Sequence, residues 1–454
     1  MMSNKGLNDF LGKLINRHQV PGASLAILRD DKIVRQAQSG LVNFDSGVKV
    51  TPDAVFQIGS ITKAMTATVL MQLVDQGLVD LDASLQSYLP EWNRSRATVR
   101  QLMCHVSGVE GDFNVDSGRG EEAIKRYVDK GTMLPSLFEP GEMMSYCNLG
   151  YAVLGRLIEV ITGKPFDAIL VERLFEPLGM QHAFASPEHA IRFNCAVGHV
   201  QSGQTPSQWH VTDTPYLSFG QAAAGSIVST SAADLLKFAQ LHLNKGRNQD
   251  GAQILSRSSV REMQRRQVRM PKHTRFGING WGLGWSLMRW DGTTVYGHTG
   301  ATLGQFSFLC VIPGEKLAIV LLTNGGGYGA TSVFEDICTN VIKPICKVAP
   351  PGLPDVSNQQ RKNVKNYIGS YQNTWVRIDI LKHNGMLHMQ QVDLSSGQSG
   401  KRLPLGLIDR NTARVDTDNP DLNREVLIFS KWDESNQPQY LQIDLRQLKR
   451  VSSH

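Results

Sequence analysis

Strand-like texture at both ends of the first 345 residues, with helical periodicity between them, constrains this chain more than any other feature. Near the start, ASLAILRDDKIVRQAQSG sets two apolar runs on either side of Asp30 and Asp31, the pattern of a hairpin. Almost three hundred residues later, FSFLCVIPGEKLAIVLLTN repeats the pattern around a turn at Pro313 and Gly314. The intervening segments are spaced for helices. SITKAMTATVLMQLVDQG runs from Ser60 to a stop at Gly77, YAVLGRLIEVITG follows, and STSAADLLKFAQLHLNKG opens on the capping candidates Ser229, Thr230 and Ser231. Apolar strands at both ends are most simply buried in one shared sheet with the helices packed on it, an α/β arrangement.

At 454 residues the chain exceeds what one core usually organises, and 41% hydrophobic with 19% charged residues suits a folded protein of two units. The first unit is expected over residues 1–345. KVAPPGLPDVSNQQ is Pro-rich and aperiodic, which places a linker over 346–360. A small all-β, barrel-like unit is expected over 361–454, from alternating runs such as VRIDILKHNGMLHMQQ and REVLIFSK with turns at Asn384-Gly385 and Asn419-Pro420.

The formal charge of +6 is spread along the chain, so nucleic acid is not expected as a partner, and the basic stretch Arg261 to Arg275 reads as solvated surface. No apolar run reaches membrane-span length. The opening residues lack the apolar core of a signal peptide and read instead as an amphipathic helix bearing Leu7, Phe10, Leu11 and Leu14, so the cytoplasm is the expected compartment. Six widely separated cysteines lack the short spacings of metal or redox sites, so free thiols, no metal and no cofactor are expected.

Three short elements carry chemistry in combination: Ser60-Ile61-Thr62-Lys63, Tyr146-Cys147-Asn148 and His298-Thr299-Gly300. Each is commonplace alone: a capping serine with a solvated lysine, a core tyrosine beside a turn asparagine, a histidine at a glycine turn. A serine nucleophile needs a base and donors for the oxyanion it creates. On a helix, Lys63 lies on the same face as Ser60 and can act as a neutral base or as a cation; an exposed lysine titrates at about 10.4, so the base role requires depression. If Ser60 opens the helix, its N-terminal N–H groups face the developing charge. Tyr146 supplies a phenol for proton relay, and Asn148 projects the same way if the segment is extended, to orient a substrate carbonyl or Lys63. The third element lies near a strand edge, where His298 can assist Tyr146, Gly300 permits close backbone approach and the Ala301 N–H is a second oxyanion donor.

These elements, in this order, resemble the penicillin-recognising serine enzymes of the class C β-lactamase-like branch. FQIGSITKAMTA, LMCHVSGVEG, FEPGEMMSYCNLGYAVLGRLIEVITGKPF, LFEPLGM, AAAGSIVSTSAADLLKFA, WGLGW, GHTGATLGQFSF and VLLTN are all similar to stretches of that family and span most of residues 10–325. The resemblance implies the β-lactamase-like or DD-peptidase fold, an antiparallel sheet flanked by helices plus a helical region. It implies Ser60 as the acylated nucleophile, Lys63 and Tyr146 as the proton-transfer pair, Asn148 as substrate orienter, and His298, Thr299 and Gly300 on the strand lining the site. Where β-lactamases of the branch have Lys-Thr-Gly, this chain has His298, whose charge is lost near neutrality. That is similar to the D-peptidase, esterase and transacylase members. The segment from Tyr367 resembles the lipocalin-like barrel appended to some of them.

The expected activity is therefore acyl-enzyme hydrolysis of an amide or ester, on a small-molecule or peptide substrate. Transacylase or cyclase activity, β-lactam hydrolysis and non-catalytic peptide binding are the alternatives. Specificity is expected in the loops Gly111 to Gly120 and Val200 to Phe219.

Overall fold

The computed structural model describes residues 2–451, except 94–95, 112, 114, 202–208, 357–363 and 418–424. The expected turn at Asn419-Pro420, residues 202–208 of the expected specificity loop and the expected start of the second unit at Arg361 therefore lie outside the described residues.

Gly22–Arg29 and Lys32–Asn43 form the first hairpin, with Asp30 and Asp31 at φ 48° and 65° in the tight left-handed turn that short polar side chains tolerate. Gly22–Arg29 then pairs antiparallel with Leu317–Thr323, Ala26 opposite Val320, so both ends of the first unit do meet in one sheet. That nine-stranded sheet runs Val48–Lys49, Lys32–Asn43, Gly22–Arg29, Leu317–Thr323, Gln305–Ile312, Thr293–Thr302, Ser286–Trp290, Ile278–Trp281, Val268–Arg269. Its central strands are apolar on both faces because both are covered. Along Leu317–Thr323, Leu317, Ile319 and Leu321 join a layer containing Leu7, Leu11 and Leu14 of the first helix, Asn4–Arg17. Ala318, Val320 and Leu322 face the larger helical layer.

The helical layer contains Thr62–Asp75, Asn148–Thr162 and Ala232–Leu243. The first is buried from Thr62 through Leu73, so it is surrounded by protein. Its polar side chains find partners inside: Thr66 Oγ1 donates to Ala223 O at 2.8 Å, and Thr68 Oγ1 lies 3.1 Å from His242 Nε2. Of the three expected capping candidates, Ser231 caps Ala232–Leu243 by accepting from Asp234 N, whereas Ser229 and Thr230 belong to a short strand.

Eight antiparallel strands between Gly369 and Val451 close into a barrel. Tyr371, Ile378, Ile380, Leu427, Phe429, Leu441 and Leu448 pack its interior. The Asn384-Gly385 turn joins Val376–His383 to Met386–Asp393 as expected, with φ 49° and 80°. The hairpin Pro438–Ile443 and Arg446–Val451 turns through Asp444 and Leu445, and it is fastened to the first unit from its turn end. Gln447 N donates to Ser145 Oγ and Gln447 Nε2 to Met144 O, each at 3.1 Å, and Tyr440 Oη donates to Leu137 O at 3.1 Å. Among the described residues, no helix is long and apolar enough to cross a membrane.

Candidate active site

Ser60 does not lie in the α-helix itself. It sits in a single 3₁₀ turn, Gly59–Ile61, that runs into Thr62–Asp75, so Lys63 is the second residue of the helix. The tighter turn still brings the two side chains together: Lys63 Nζ is 2.9 Å from Ser60 Oγ. The Ser60 turn is locked against the sheet. Ser307 Oγ donates to Ile58 O at 2.7 Å, and Gly59, at φ 50°, lies so close to the strand Thr293–Thr302 that a Cβ would sit 2.6 Å from Ala301 N. Gly300 meets the same turn, where a Cβ would fall 1.9 Å from Ile58 O. These contacts explain why glycine stands at 59 and 300, and they place the Ser60 and Ala301 backbones side by side.

Lys63 is fully buried, and its amine also reaches Asn148 Oδ1 and Ala224 O, both at 2.7 Å. Those two oxygens only accept, so they take two N–H groups and leave the third position of the nitrogen directed at Ser60 Oγ. A neutral amine has its lone pair there and an ammonium a third proton, so the geometry accommodates either state. Asn148 reaches Lys63 from the first position of Asn148–Thr162 rather than from an extended strand. The side chains of Tyr146 and Asn148 nonetheless converge, since the Tyr146 ring centroid lies 4.9 Å from Lys63 Nζ.

His298 lies in Thr293–Thr302, whose ladder with Ser286–Trp290 stops at Gly297, leaving His298 to Ala301 on the side available to an extended substrate. Its Nδ1 is 2.5 Å from Thr299 O. A carbonyl only accepts, so Nδ1 carries the proton and the lone pair sits on Nε2, a buried atom without a hydrogen-bond partner among the described residues. Burial, with the Lys63 charge adding to it, pushes the His298 imidazole down to about 3. It is neutral at physiological pH, more firmly than its residue type alone implies, and its ring centroid lies 6.2 Å from that of Tyr146.

His105 and His242 are buried and neutral for the same reason, His242 pushed down to about 3. In the unfolded chain such histidines titrate near about 6.5. Below that pH the unfolded state binds a proton at His242 that the folded state refuses until about pH 3, so stability falls as pH drops through this window. His242→Gln, remote from Ser60 in the helical core, should give a shallower fall in Tm between pH 6.5 and 4 than the parent chain. Identical slopes would contradict this.

Ser60, Tyr146, Asn148, His298, Thr299, Gly300 and Ala301 line one cavity of about 550 Å³. Every residue singled out in the sequence is thus in its wall, apart from Lys63 behind Ser60. Sequence reasoning missed the far side. Glu425, Asp444, Leu445 and Arg446 of the barrel line the same cavity, Leu445 O accepts from Tyr146 N at 2.9 Å, and the Arg446 guanidinium carbon lies 5.2 Å from the Tyr146 ring centroid. No local pattern in the barrel sequence marks these residues, because their relevance depends on docking across 300 positions. Also missed was an aromatic lobe lined by Phe276, Phe306, Phe308 and Phe334. Among the described residues no cluster of His, Cys, Asp or Glu is arranged to hold a metal ion.

Residues 7–335 match the family model described as Beta-lactamase. Penicillin-binding protein 4 of Amycolatopsis lactamdurans is 40% identical over 354 residues, covering 75% of this chain and 91% of that protein. The crystal structure of SurE superposes over 99% of both chains with a TM-score of 0.80 and 27% identity, so the barrel belongs to the shared architecture. SurE has also been solved with D-Leu. The D-amino acid amidase of Ochrobactrum anthropi SV3, complexed with L-phenylalanine amide, covers 73% of this chain and 98% of its own, with a TM-score of 0.62 and 25% identity.

Proposed function

Because this chain belongs to the beta-lactamase family, a family of serine hydrolases, we propose that it forms an acyl-enzyme at Ser60 and cleaves an amide or ester bond, with substrates built on D-amino acids preferred. The observation that carries this reading is the Lys63 amine held 2.9 Å from Ser60 Oγ by Asn148 and Ala224. Ser60 Oγ adds to the substrate carbonyl while its proton passes to the Lys63–Tyr146 pair, and the Ser60 and Ala301 N–H groups receive the oxyanion. As the tetrahedral adduct collapses, the same proton goes to the leaving amine or alcohol. Water then attacks the ester at Ser60 and loses its proton to the pair, which passes it to Ser60 Oγ as the C–Oγ bond breaks and the acid leaves.

The identity of neighbouring proteins supports the substrate class: one is a D-amino acid amidase and another has been solved with D-Leu. The cavity's charges support a peptide-like ligand over a neutral ester. Arg446, Glu425 and Asp444 all line the cavity, so both signs are present for a charged terminus. With His298 neutral, Arg446 is the basic side chain among the described residues lining the cavity. Arg446→Gln should therefore raise KM at least about tenfold for substrates with a free carboxylate beside the scissile bond, and leave KM for their methyl esters within about twofold. Equal effects on both would remove Arg446 from recognition.

A panel of D-alanyl peptides, D-phenylalanine amide, short-chain aryl esters and nitrocefin, each with and without an amine acceptor, tests the activity. Turnover fastest on the D-amino acid compounds with free acid as product is expected. Turnover of nitrocefin alone would overturn the substrate class, and products joined to the amine would make the chain a transacylase.

A further inference from the structure

Resting on the reading that Tyr146 shares the Ser60 proton, we propose that His105 is a positioning residue that fixes Tyr146 through the backbone on either side of it. His105 lies 41 positions before Tyr146, carries no role in the mechanism above and touches none of the reacting atoms. It is 1% exposed and adopts φ 61°, a left-handed conformation uncommon outside glycine and asparagine.

Three of its contacts bracket one residue. His105 O accepts from Ser145 N at 2.9 Å, His105 Nδ1 accepts from Cys147 N at 3.1 Å, and the imidazole lies against the Tyr146 ring with centroids 4.3 Å apart and planes inclined by 31°. The amides immediately before and after Tyr146 are thereby held by one side chain and its own carbonyl, while the Tyr146 amide is held from the barrel by Leu445 O. Backbone N–H groups only donate, so Nδ1 must carry a lone pair. Burial foremost, with the Lys63 and Arg446 charges adding to it, holds this imidazole well below its ordinary range, so it stays neutral with its proton on Nε2. His298, whose ring centroid lies 6.2 Å from that of Tyr146, has the opposite tautomer, proton on Nδ1. Two neutral histidines near the phenol therefore differ in duty, His298 donating from Nδ1 to Thr299 O and His105 accepting at Nδ1 from the main chain. A displacement of about 1 Å in a proton-transfer group can cost about a hundredfold in rate.

Asparagine tests this well. Its Oδ1 replaces Nδ1 as the acceptor for Cys147 N–H, and it tolerates positive φ. His105→Gly also accepts the backbone conformation but offers no acceptor, and His105→Leu keeps bulk without either. Acylation of Ser60 by a fluorophosphonate, followed by intact mass, gives the limiting rate kinact and the affinity KI separately. The Gly and Leu variants should lose about tenfold to a hundredfold in kinact with KI within about twofold, and Asn should recover at least about tenfold over Gly. In a Tyr146→Phe background the same three changes should have no further effect, because their consequence runs through the phenol.

Should Leu fail to fold, the Gly and Asn pair decides. Equal kinact in Gly, Asn and the parent overturns the proposal, as does an Asn variant no better than Gly, or a full additional loss in the Phe background. A parent chain that takes no adduct, or a Tyr146→Phe chain acylated at the parent rate, overturns the functional reading and this inference with it. Parent acylation that is sensitive to Tyr146 and indifferent to His105 overturns this inference alone.

Discussion

Replacing Lys63 with methionine should slow acylation of Ser60 by about 10³- to 10⁴-fold, the upper part of the range for losing a positioned proton-transfer group. The side chain is fully buried, and its amine ties together three separate parts of the fold: the Ser60 turn, the first residue of Asn148–Thr162 and the Ala224 carbonyl. Methionine nearly fills the same volume, so the core around it is kept. It leaves Asn148 Oδ1 and Ala224 O without this donor, a cost of about 1–3 kcal/mol each that is partly offset because no amine is then buried. The Tm of Lys63→Met should consequently fall by only a few degrees while the rate collapses. Stopped-flow acylation beside a thermal melt separates the two. A loss below tenfold in a folded variant would mean that Lys63 is neither the base nor the essential cation.

Tyr146→Phe should cost about 10²- to 10³-fold in kcat with KM little changed, since only the phenol oxygen is removed. The ring keeps its contacts with His105, Trp281 and Lys63 Nζ, and the backbone keeps Leu445 O. The loss should be larger for amides than for aryl esters, because an amine leaves only when protonated whereas a nitrophenolate leaves unaided. Comparing D-phenylalanine amide with a nitrophenyl ester of the same amino acid gives this difference directly. Equal losses on both would confine Tyr146 to the attack on the carbonyl and take it out of leaving-group protonation.

The shared sheet was legible because its two hairpins carry strong local signals, a paired Asp30-Asp31 turn and a Pro313-Gly314 turn between apolar runs, and because helical spacing between them leaves few ways to bury both. Ser60, Lys63, Tyr146, Asn148 and His298 were legible as residue types in order. Their convergence was not derivable from spacing, since it depends on Ala224 and on the close approach of Gly59 and Gly300 to neighbouring backbone. The local geometry differed in two places for the same reason. Docking of the Ser60 turn onto the sheet tightens it to 3₁₀, and Asn148 begins a helix capped by the Cys147 thiol, which accepts from Gly150 N at 3.1 Å. The barrel strands were readable from Asn384-Gly385 and alternating residues, yet Leu445 and Arg446 reach Tyr146 only through tertiary docking.

His105 was equally hidden. It sits in LMCHVSGVEG, a stretch whose likeness to the family was visible, but nothing in one sequence shows that its Nδ1 meets the Cys147 amide. The buried histidines also invert the expectation from residue type. An imidazole is ordinarily poised near neutrality, whereas here enclosure removes the charge altogether and turns three of them into fixed neutral donors and acceptors.

The central claim is that Ser60 is the nucleophile, and intact-mass spectrometry of the full chain after exposure to a fluorophosphonate tests it most directly. One adduct is expected, mapped by proteolysis to the peptide containing Ser60 and absent from Ser60→Ala. An unmodified parent chain, or an adduct retained by Ser60→Ala, would contradict it.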